Sequence, residues 1–553
     1  MRRNFFRRLT AFALVLMMAL SLAACGNNNS TPDNTSNPGT TTPDTTTPNT
    51  SSTDGKQVEA VQAGEKTSLT SDETVTIALN GEPNKLIPDF GFVSNTVSAV
   101  CKMMYEPLID AEWPWNLNKN GLVTDWEYID DTHLRLTLRE GVKFSSGDEF
   151  NADDVLYMFQ NGSPALYYDC FVGSECYKED DYHVVLVAVQ PWGQLVSMLS
   201  TQNFQVISSK AMEAAGGAQT DAQYVENAGT GKYVFKEWVP GEYILLERNE
   251  NYWNQEDPGY FKEVKFVFLS DTTANGLAAQ SGAVDIASSP SLANYAVYEA
   301  DSNVKIAFVN SENVSTLFLN SGKGGPCADL NVRKAIQCLV DPAALREVGQ
   351  YGYGTLCDTI ISPKNPAHDG INESAERKID IDKAKEYLAE AGYADGLTLS
   401  LRGSSDSVVN QMIQEQLRQG GIEVNIIVAD TPTHFAALAE GDYDMYVSSQ
   451  QAMYYSEPLR CCDGIGWDYA ALMGGCGYKD EAWHELTLKI LTCTDEAERT
   501  ELLKEYQAGF RENVISIPLY TGCAITVTRP DIEGISLFGL GALDFTHIYS
   551  SKG

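Results

Sequence analysis

No stretch of these 553 residues, one N-terminal run included, is apolar for long enough to cross a membrane. That run, Leu9 to Ala24, is sixteen residues without a charge, where a spanning helix needs roughly 20. Basic residues are scarce too: 39 Lys and Arg stand against 75 Asp and Glu, for a formal charge of −36. So acidic a chain lacks the basic patch that nucleic acid or anionic lipid demands, which excludes both as partners. The six histidines are scattered and no Cys-x-x-Cys occurs, so no clustered ligand set for a metal is present.

Enzymatic signatures are missing as well. Gly-Thr-Gly-Lys at 229–232 looks like part of a phosphate loop. However, Glu226 stands where the first glycine belongs, and Tyr233 where Ser or Thr must hold the metal. His484 in Trp-His-Glu-Leu-Thr has no second histidine four residues on, and no Gly-x-Ser-x-Gly elbow occurs. Paired carboxylates are too common in this composition to single out any pair. No catalytic residue, metal or cofactor is assigned.

What is present begins at the N-terminus. MRRNFFRR carries four arginines and no acid, and the apolar run after it ends at Leu22-Ala23-Ala24-Cys25. A basic end, a short apolar stretch and small residues before a break are the marks of an export signal. The break resembles a lipobox, in which the chain is cut before the cysteine and its thiol is acylated. Residues 1–24 are therefore expected to be a lipoprotein signal peptide, with Cys25 the lipidation site. Segment 25–72 is rich in Thr, Asn, Pro and Ser and offers little to bury, so it is expected to be a disordered leash. The address implied is the outer face of the cytoplasmic membrane, held by lipid anchor only.

Eleven further cysteines follow. An exported chain permits disulfides, and an odd number leaves one thiol over unless it pairs between chains. Cys170 and Cys176 are the favoured local bridge, while a bond between adjacent Cys461 and Cys462 would be strained.

Helix and strand patterns alternate over the rest. Residues 73–80 alternate Val75, Ile77 and Leu79 with polar neighbours, and 133–139 alternate Leu134, Leu136 and Leu138, both strand-like. Asn151 suits a helix N-cap, with Asp153 and Asp154 in the favourable first turn. Residues 379–393 place Ile381, Ala384, Leu388 and Ala391 on one helical stripe that Gly392 ends, and 498–513 repeat the pattern. Such mixing predicts α/β lobes.

Three segments carry a resemblance. They are GLVTDWEYIDDTHLRLTLREGVKFSSGDEFNADDVLYMF (121–159), GTGKYVFKEWVPGEYILLERNENYW (229–253) and LNVRKAIQCLVDPAAL (330–345), with weaker support from SGAVDI (281–286) and GDYDM (441–445). Together they resemble the family 5 extracellular solute-binding proteins, the oligopeptide- and dipeptide-binding components of ABC importers. The resemblance implies a two-lobe fold of the type II periplasmic-binding-protein kind with an extra third domain. The first lobe would be discontinuous, made of 73–95, 205–310 and 516–553. Residues 96–204 would form the extra domain and 311–515 the second lobe, with hinge strands near 312–320 and 515–523. The expected role is capture of a peptide or similar small polar solute and its delivery, by a monomer, to ABC permease subunits. The alternative is a surface solute sensor or an enzyme using the same cleft.

In such relatives the solute lies between the lobes, its ammonium paired with an aspartate near an Asp-Pro. Asn80, Gly81, Glu82, Pro83 and Asn84 resemble the family's first-strand exit and are expected on the cleft wall. The Asp-Pro is replaced here by Glu457-Pro458. Glu457 or Asp463 is then the candidate partner for an ammonium, with Tyr454, Tyr455 and Trp467 walling the solute.

Overall fold

The structure is a computed structural model. It describes residue 56 and residues 65–88, 94–112, 116–162, 170–171, 173–217, 222–405, 407–450, 456–465, 475–538 and 542–552. Cys25, Tyr454, Tyr455 and Trp467 lie outside the described residues, as does the side chain of Glu457. Among the described residues no helix is long and apolar enough to cross a membrane.

Ten strands form the principal sheet. In chain order they are β1 (Thr74–Leu79), β2 (Tyr233–Val239), β3 (Tyr243–Arg248), β4 (Glu263–Phe268) and β5 (Ile286–Ser288), then β6 (Lys305–Leu319), β7 (Leu397–Gly403), β8 (Ile422–Val428), β9 (Met445–Gln450) and β10 (Ile517–Thr528). Across the sheet they run β8-β7-β9-β6-β10-β5-β1-β4-β3-β2. The alternation read from the sequence is met in β1, where Val75, Ile77 and Leu79 are buried. A separate four-stranded sheet holds His133–Leu138 and Val123–Tyr128 side by side.

Two long strands join the halves. β6 pairs antiparallel with β10 over almost its whole length, with the register broken between Asn310 and Val314. Below that break β10 also pairs with β5, through Ser288 and Thr526. Above it β6 pairs with β9, through Val314 and Gln450. The expected hinge segments are thus the upper halves of strands that reach further down into the first half.

Helix starts follow local chemistry. Asn151 caps helix Ala152–Asn161 by accepting from the Asp153 amide at 2.8 Å, and Asp154 returns the bond to the Asn151 amide at 3.1 Å. The other Asp154 oxygen accepts from the Ser209 amide at 2.9 Å and its hydroxyl at 2.8 Å, which ties a second helix to the first. The 229–232 loop serves packing, as its rejected phosphate motif requires. A Cβ on Gly229 would lie 2.0 Å from the Met104 carbonyl oxygen, so only glycine lets the two backbones touch.

Two expected boundaries are corrected. Helix Asn95–Met104, placed with the extra domain by sequence, buries Val97, Val100 and Met103 in one cluster with Val75 and Ile77 of β1. Its apolar face belongs to the first half's core. The leash also ends sooner than residue 72. The Ser71 amide donates to the Tyr260 carbonyl at 2.7 Å, and Lys56 pairs backbone to backbone with Gly352 at 2.9 Å. Polar segments make such contacts through their backbones, which composition does not reveal.

Candidate functional site

Strand direction locates the cleft. β1 is parallel to β4 and β5, while β7 is parallel to β8 and β9. Because β6 runs antiparallel to β9 and to β10, and β10 antiparallel to β5, the two parallel groups point at each other. Their carboxyl ends, Leu79 and Ser288 on one side and Gln450 on the other, approach the level of the β6 register break. Crevices outside strand carboxyl ends are where α/β sheets bind ligands. Along β6, from the partner of Thr526 (Ala307) to Val314, the gap spans on the order of 20 Å at ~3.3 Å per residue. A solute of a few residues fits that span.

On the first rim Asn80 follows β1 directly. Its side-chain amide donates to the Ser289 carbonyl at 3.1 Å, and its oxygen accepts from Asn275 Nδ2 at 2.6 Å. Asn275 also donates to the Ser288 carbonyl at 3.1 Å. These bonds fix the turn after β5, where Ser289 holds φ at 51°, a left-handed value that costs about 1–3 kcal/mol in a side-chain-bearing residue. Asn275 and Ser289 escaped sequence reading, because neither a helical asparagine nor a strained serine carries a linear signal.

Glu82 turns elsewhere. Its Oε1 accepts from Trp238 Nε1 at 2.8 Å and from the Gly241 amide at 3.1 Å, which commits the carboxylate to the β2–β3 hairpin. Pro83 is buried and Asn84 is exposed, while Gly81 faces open space. The expected wall is therefore split, with Asn80 at the strand end and Glu82 bound to its own lobe.

Asp463, the second candidate acid, is buried, with 2% of its surface exposed. Its Oδ2 lies 2.7 Å from His484 Nδ1, and its Oδ1 accepts from the Ile465 amide at 2.9 Å. A solute ammonium would have to displace the imidazole to reach it. The carboxylate expected to face solute is thus paired within its own fold: a buried carboxylate takes whichever partner desolvates with it. Between the rims Tyr353 stacks near Tyr295 and Phe308, with ring centres 5.0 and 5.2 Å away. Burial pushes the Tyr353 hydroxyl up to about 12.

A cavity of about 460 Å³ lies off this cleft, beside Lys102, Glu106, Arg139 and Asp257. Some of its charges are matched internally. Lys232 reaches Asp257 at 2.6 Å, and Glu106 accepts from the Tyr252 hydroxyl at 2.8 Å and Trp253 Nε1 at 3.0 Å. Burial raises the Glu106 carboxyl above its ordinary range. The signature residues Tyr252 and Trp253 thus hold a buried acid in place.

Comparison with known proteins agrees with this architecture. The chain is 24% identical over 522 residues to the probable ABC transporter periplasmic-binding protein SapA of Escherichia coli K12, covering 87% of this chain and 93% of that one. NikA from Brucella suis, solved with Fe(III)-EDTA, superposes with a TM-score of 0.75 at 22% identity, over 87% of this chain and 100% of the other. A dipeptide binding protein from Pseudoalteromonas sp. SM9913, solved with Met-Leu, gives 0.72 at 20%, over 86% and 100%. Both structures share the two-lobe α/β binding-protein fold. The pattern described as "Bacterial extracellular solute-binding proteins, family 5 Middle" matches residues 119–459, which hold all three signature segments. The chain belongs to the bacterial extracellular solute-binding proteins of family 5.

Proposed function

We propose that this protein is the substrate-binding lipoprotein of an ABC importer. It captures a peptide or similar small polar solute between two closing lobes and hands it to a membrane permease. The observation that carries this reading is the pair of parallel strand groups whose carboxyl ends face one another across β6 and β10. A solute bridging both ends favours the closed state by its differential contacts, and no bond is made or broken. In this reading lobe I comprises 73–105, 205–310 and 516–553, the extra domain 106–204, and lobe II 311–515. Cys25 carries the acyl chains, each buried CH₂ contributing about 0.8 kcal/mol to anchoring.

Solute class follows from which acids stay available. Glu82 is held by Trp238 and Gly241, and Asp463 by His484, so Glu457 is left as the carboxylate for a peptide ammonium. A second reading, a compact metal chelate, gains from the same commitment of acids and from NikA's Fe(III)-EDTA complex. The test is native mass spectrometry of the protein from its own cells, paired with uptake after gene deletion. A co-purifying peptide whose uptake is lost supports the reading. Turnover of the bound molecule, or unimpaired uptake of it, overturns importer function.

A further inference from the structure

One wall of the cavity of about 460 Å³ carries two opposite charges that do not meet. The turn at residues 118–121 holds both. Asn118 Oδ1 accepts from the Asn120 amide at 2.9 Å, and its Nδ2 donates to Asp110 Oδ2 at 3.0 Å. Arg139 donates from Nε to the Gly121 carbonyl at 2.8 Å and from Nη2 to the Lys119 carbonyl at 3.2 Å. Its guanidinium carbon lies 4.6 Å from the centre of the Trp253 ring. A Cβ on Gly121 would come within 2.9 Å of Asp110 Cβ, so the turn packs directly on Asp110. Asp110, Asn118, Arg139 and Trp253 all line the cavity. Among the described residues neither Asp110 nor Arg139 has an ion-pair partner: the acid takes a bond from Asn118, and the guanidinium ends on two carbonyls and a ring.

We propose that this cavity binds a free α-amino acid, its carboxylate on Arg139 and its ammonium on Asp110. With Nε and one Nη2 hydrogen spent on carbonyls, the guanidinium keeps its Nη1 hydrogens for a carboxylate, and Asp110 keeps acceptor capacity beyond its one bond. A lone anion would neutralise Arg139 and leave Asp110 facing it; a lone cation would do the reverse. A molecule bearing both charged groups on one carbon satisfies both, and removes the cost of charges held out of water without partners. The volume falls within the range of small-molecule pockets, roughly 300–1,000 Å³. Asn120 and Asn254 also line it, and their amides suit a polar side chain. Asp110 and Arg139 flank the four-stranded sheet, whereas Lys232 and Trp253 follow or belong to the half built on β1, so the ligand lies where these parts join. Binding there needs no closure of the lobes, and it stands apart from the solute proposed for the cleft.

Equilibrium dialysis tests this. The full-length protein, freed of co-purifying molecules by exhaustive dialysis, is equilibrated against an equimolar mixture of the common protein amino acids, and both chambers are assayed by chromatography. Expected is an excess of at least one amino acid on the protein side. Asp110→Asn and Arg139→Gln should each lower its affinity by roughly tenfold or more, with melting temperatures near the parent's. Asp110→Asn retains an oxygen for the Asn118 bond, so it decides alone should Arg139→Gln fail to fold. No excess in the parent overturns the proposal. So does an excess that survives either folded substitution, since the amino acid is then held elsewhere.

Discussion

Gly193 donates its amide hydrogen to the Leu491 carbonyl at 2.8 Å. That bond joins the stretch that follows the four-stranded sheet to helix Glu481–Thr492. Trp192, Leu195 and Leu491 are all buried around it, in one cluster shared by the two parts.

A side chain at Gly193 should hold the lobes apart. Its Cβ would lie 2.0 Å from the Cys493 carbonyl oxygen, a backbone atom that cannot swing aside. Gly193→Val is expected to weaken solute binding at least tenfold, ~1.4 kcal/mol, and to enlarge the radius of gyration in small-angle scattering with solute present. Unchanged affinity and radius would show that this contact takes no part in closure.

The two acids of the second rim should separate by readout. Asp463→Asn removes the bond between a buried carboxylate and a half-buried imidazole, so its melting temperature should fall by the equivalent of about 1–3 kcal/mol while affinity holds. Glu457→Gln is expected to do the reverse in calorimetry, losing roughly tenfold in affinity, ~1.4 kcal/mol. If both variants bind as the parent does, the solute has no ammonium held by a carboxylate here.

Acid should destabilise the protein through His368. Its side chain is 4% exposed, and burial, with the Arg511 cation beside it, keeps its pKa below the ordinary value despite Asp369 and Asp358 nearby. The unfolded chain takes up a proton near pH ~6.5 and the folded chain does not, so stability falls as pH drops below that value. The slope approaches about 1.4 kcal/mol per pH unit for one proton. Asp369, lowered chiefly by its Arg511 pair against the opposing effect of burial, supplies stability that is lost only further down, below about pH 3.9. His368→Gln should flatten the melting temperature between roughly pH 7 and 5; an unaltered slope assigns that proton to another group.

Anchoring should depend on one sulfur. Cys25→Ser is expected to move the protein from the membrane fraction to the medium or periplasm. Persistence of a detergent-extractable form in the variant would remove the lipobox assignment.

Linker truncation should show a threshold. Deleting 25–64 removes exposed contacts such as Lys56 to Glu347, at 3.7 Å, and should leave the melting temperature nearly unchanged. Extending the deletion through Ser71 also removes its amide bond to Tyr260 and the Arg248 bond to its carbonyl at 3.1 Å. A further loss of about 1–2 kcal/mol is expected from those two bonds, visible in denaturant titration.

The parts of the fold legible in the sequence were those decided within a few residues. The alternation at Val75, Ile77 and Leu79 gave a strand, Asn151 with Asp154 gave a capped helix start, and Ala384 with Leu388 gave the buried stripe of helix Ile381–Glu390. Each follows from backbone periodicity or a side chain reaching its own neighbours. The site was less legible. Asn80 could be placed at a strand end because it directly follows a recognisable strand, whereas Glu82 and Asp463 looked available only because their partners, Trp238 and His484, are distant in the chain.

Sequence alone determined the α/β class and the family, since periodicity and motif order are properties of the chain read in line. Tertiary structure decided that the strand groups of the two lobes point at one another, that helix Asn95–Met104 serves the first lobe's core, and that Asp463 faces inward. Those outcomes depend on pairings such as Ser288 with Thr526, across more than two hundred residues, which no local rule of burial or capping encodes. A carboxylate's role is set by the partner that arrives beside it when water is excluded, and only the folded chain chooses that partner.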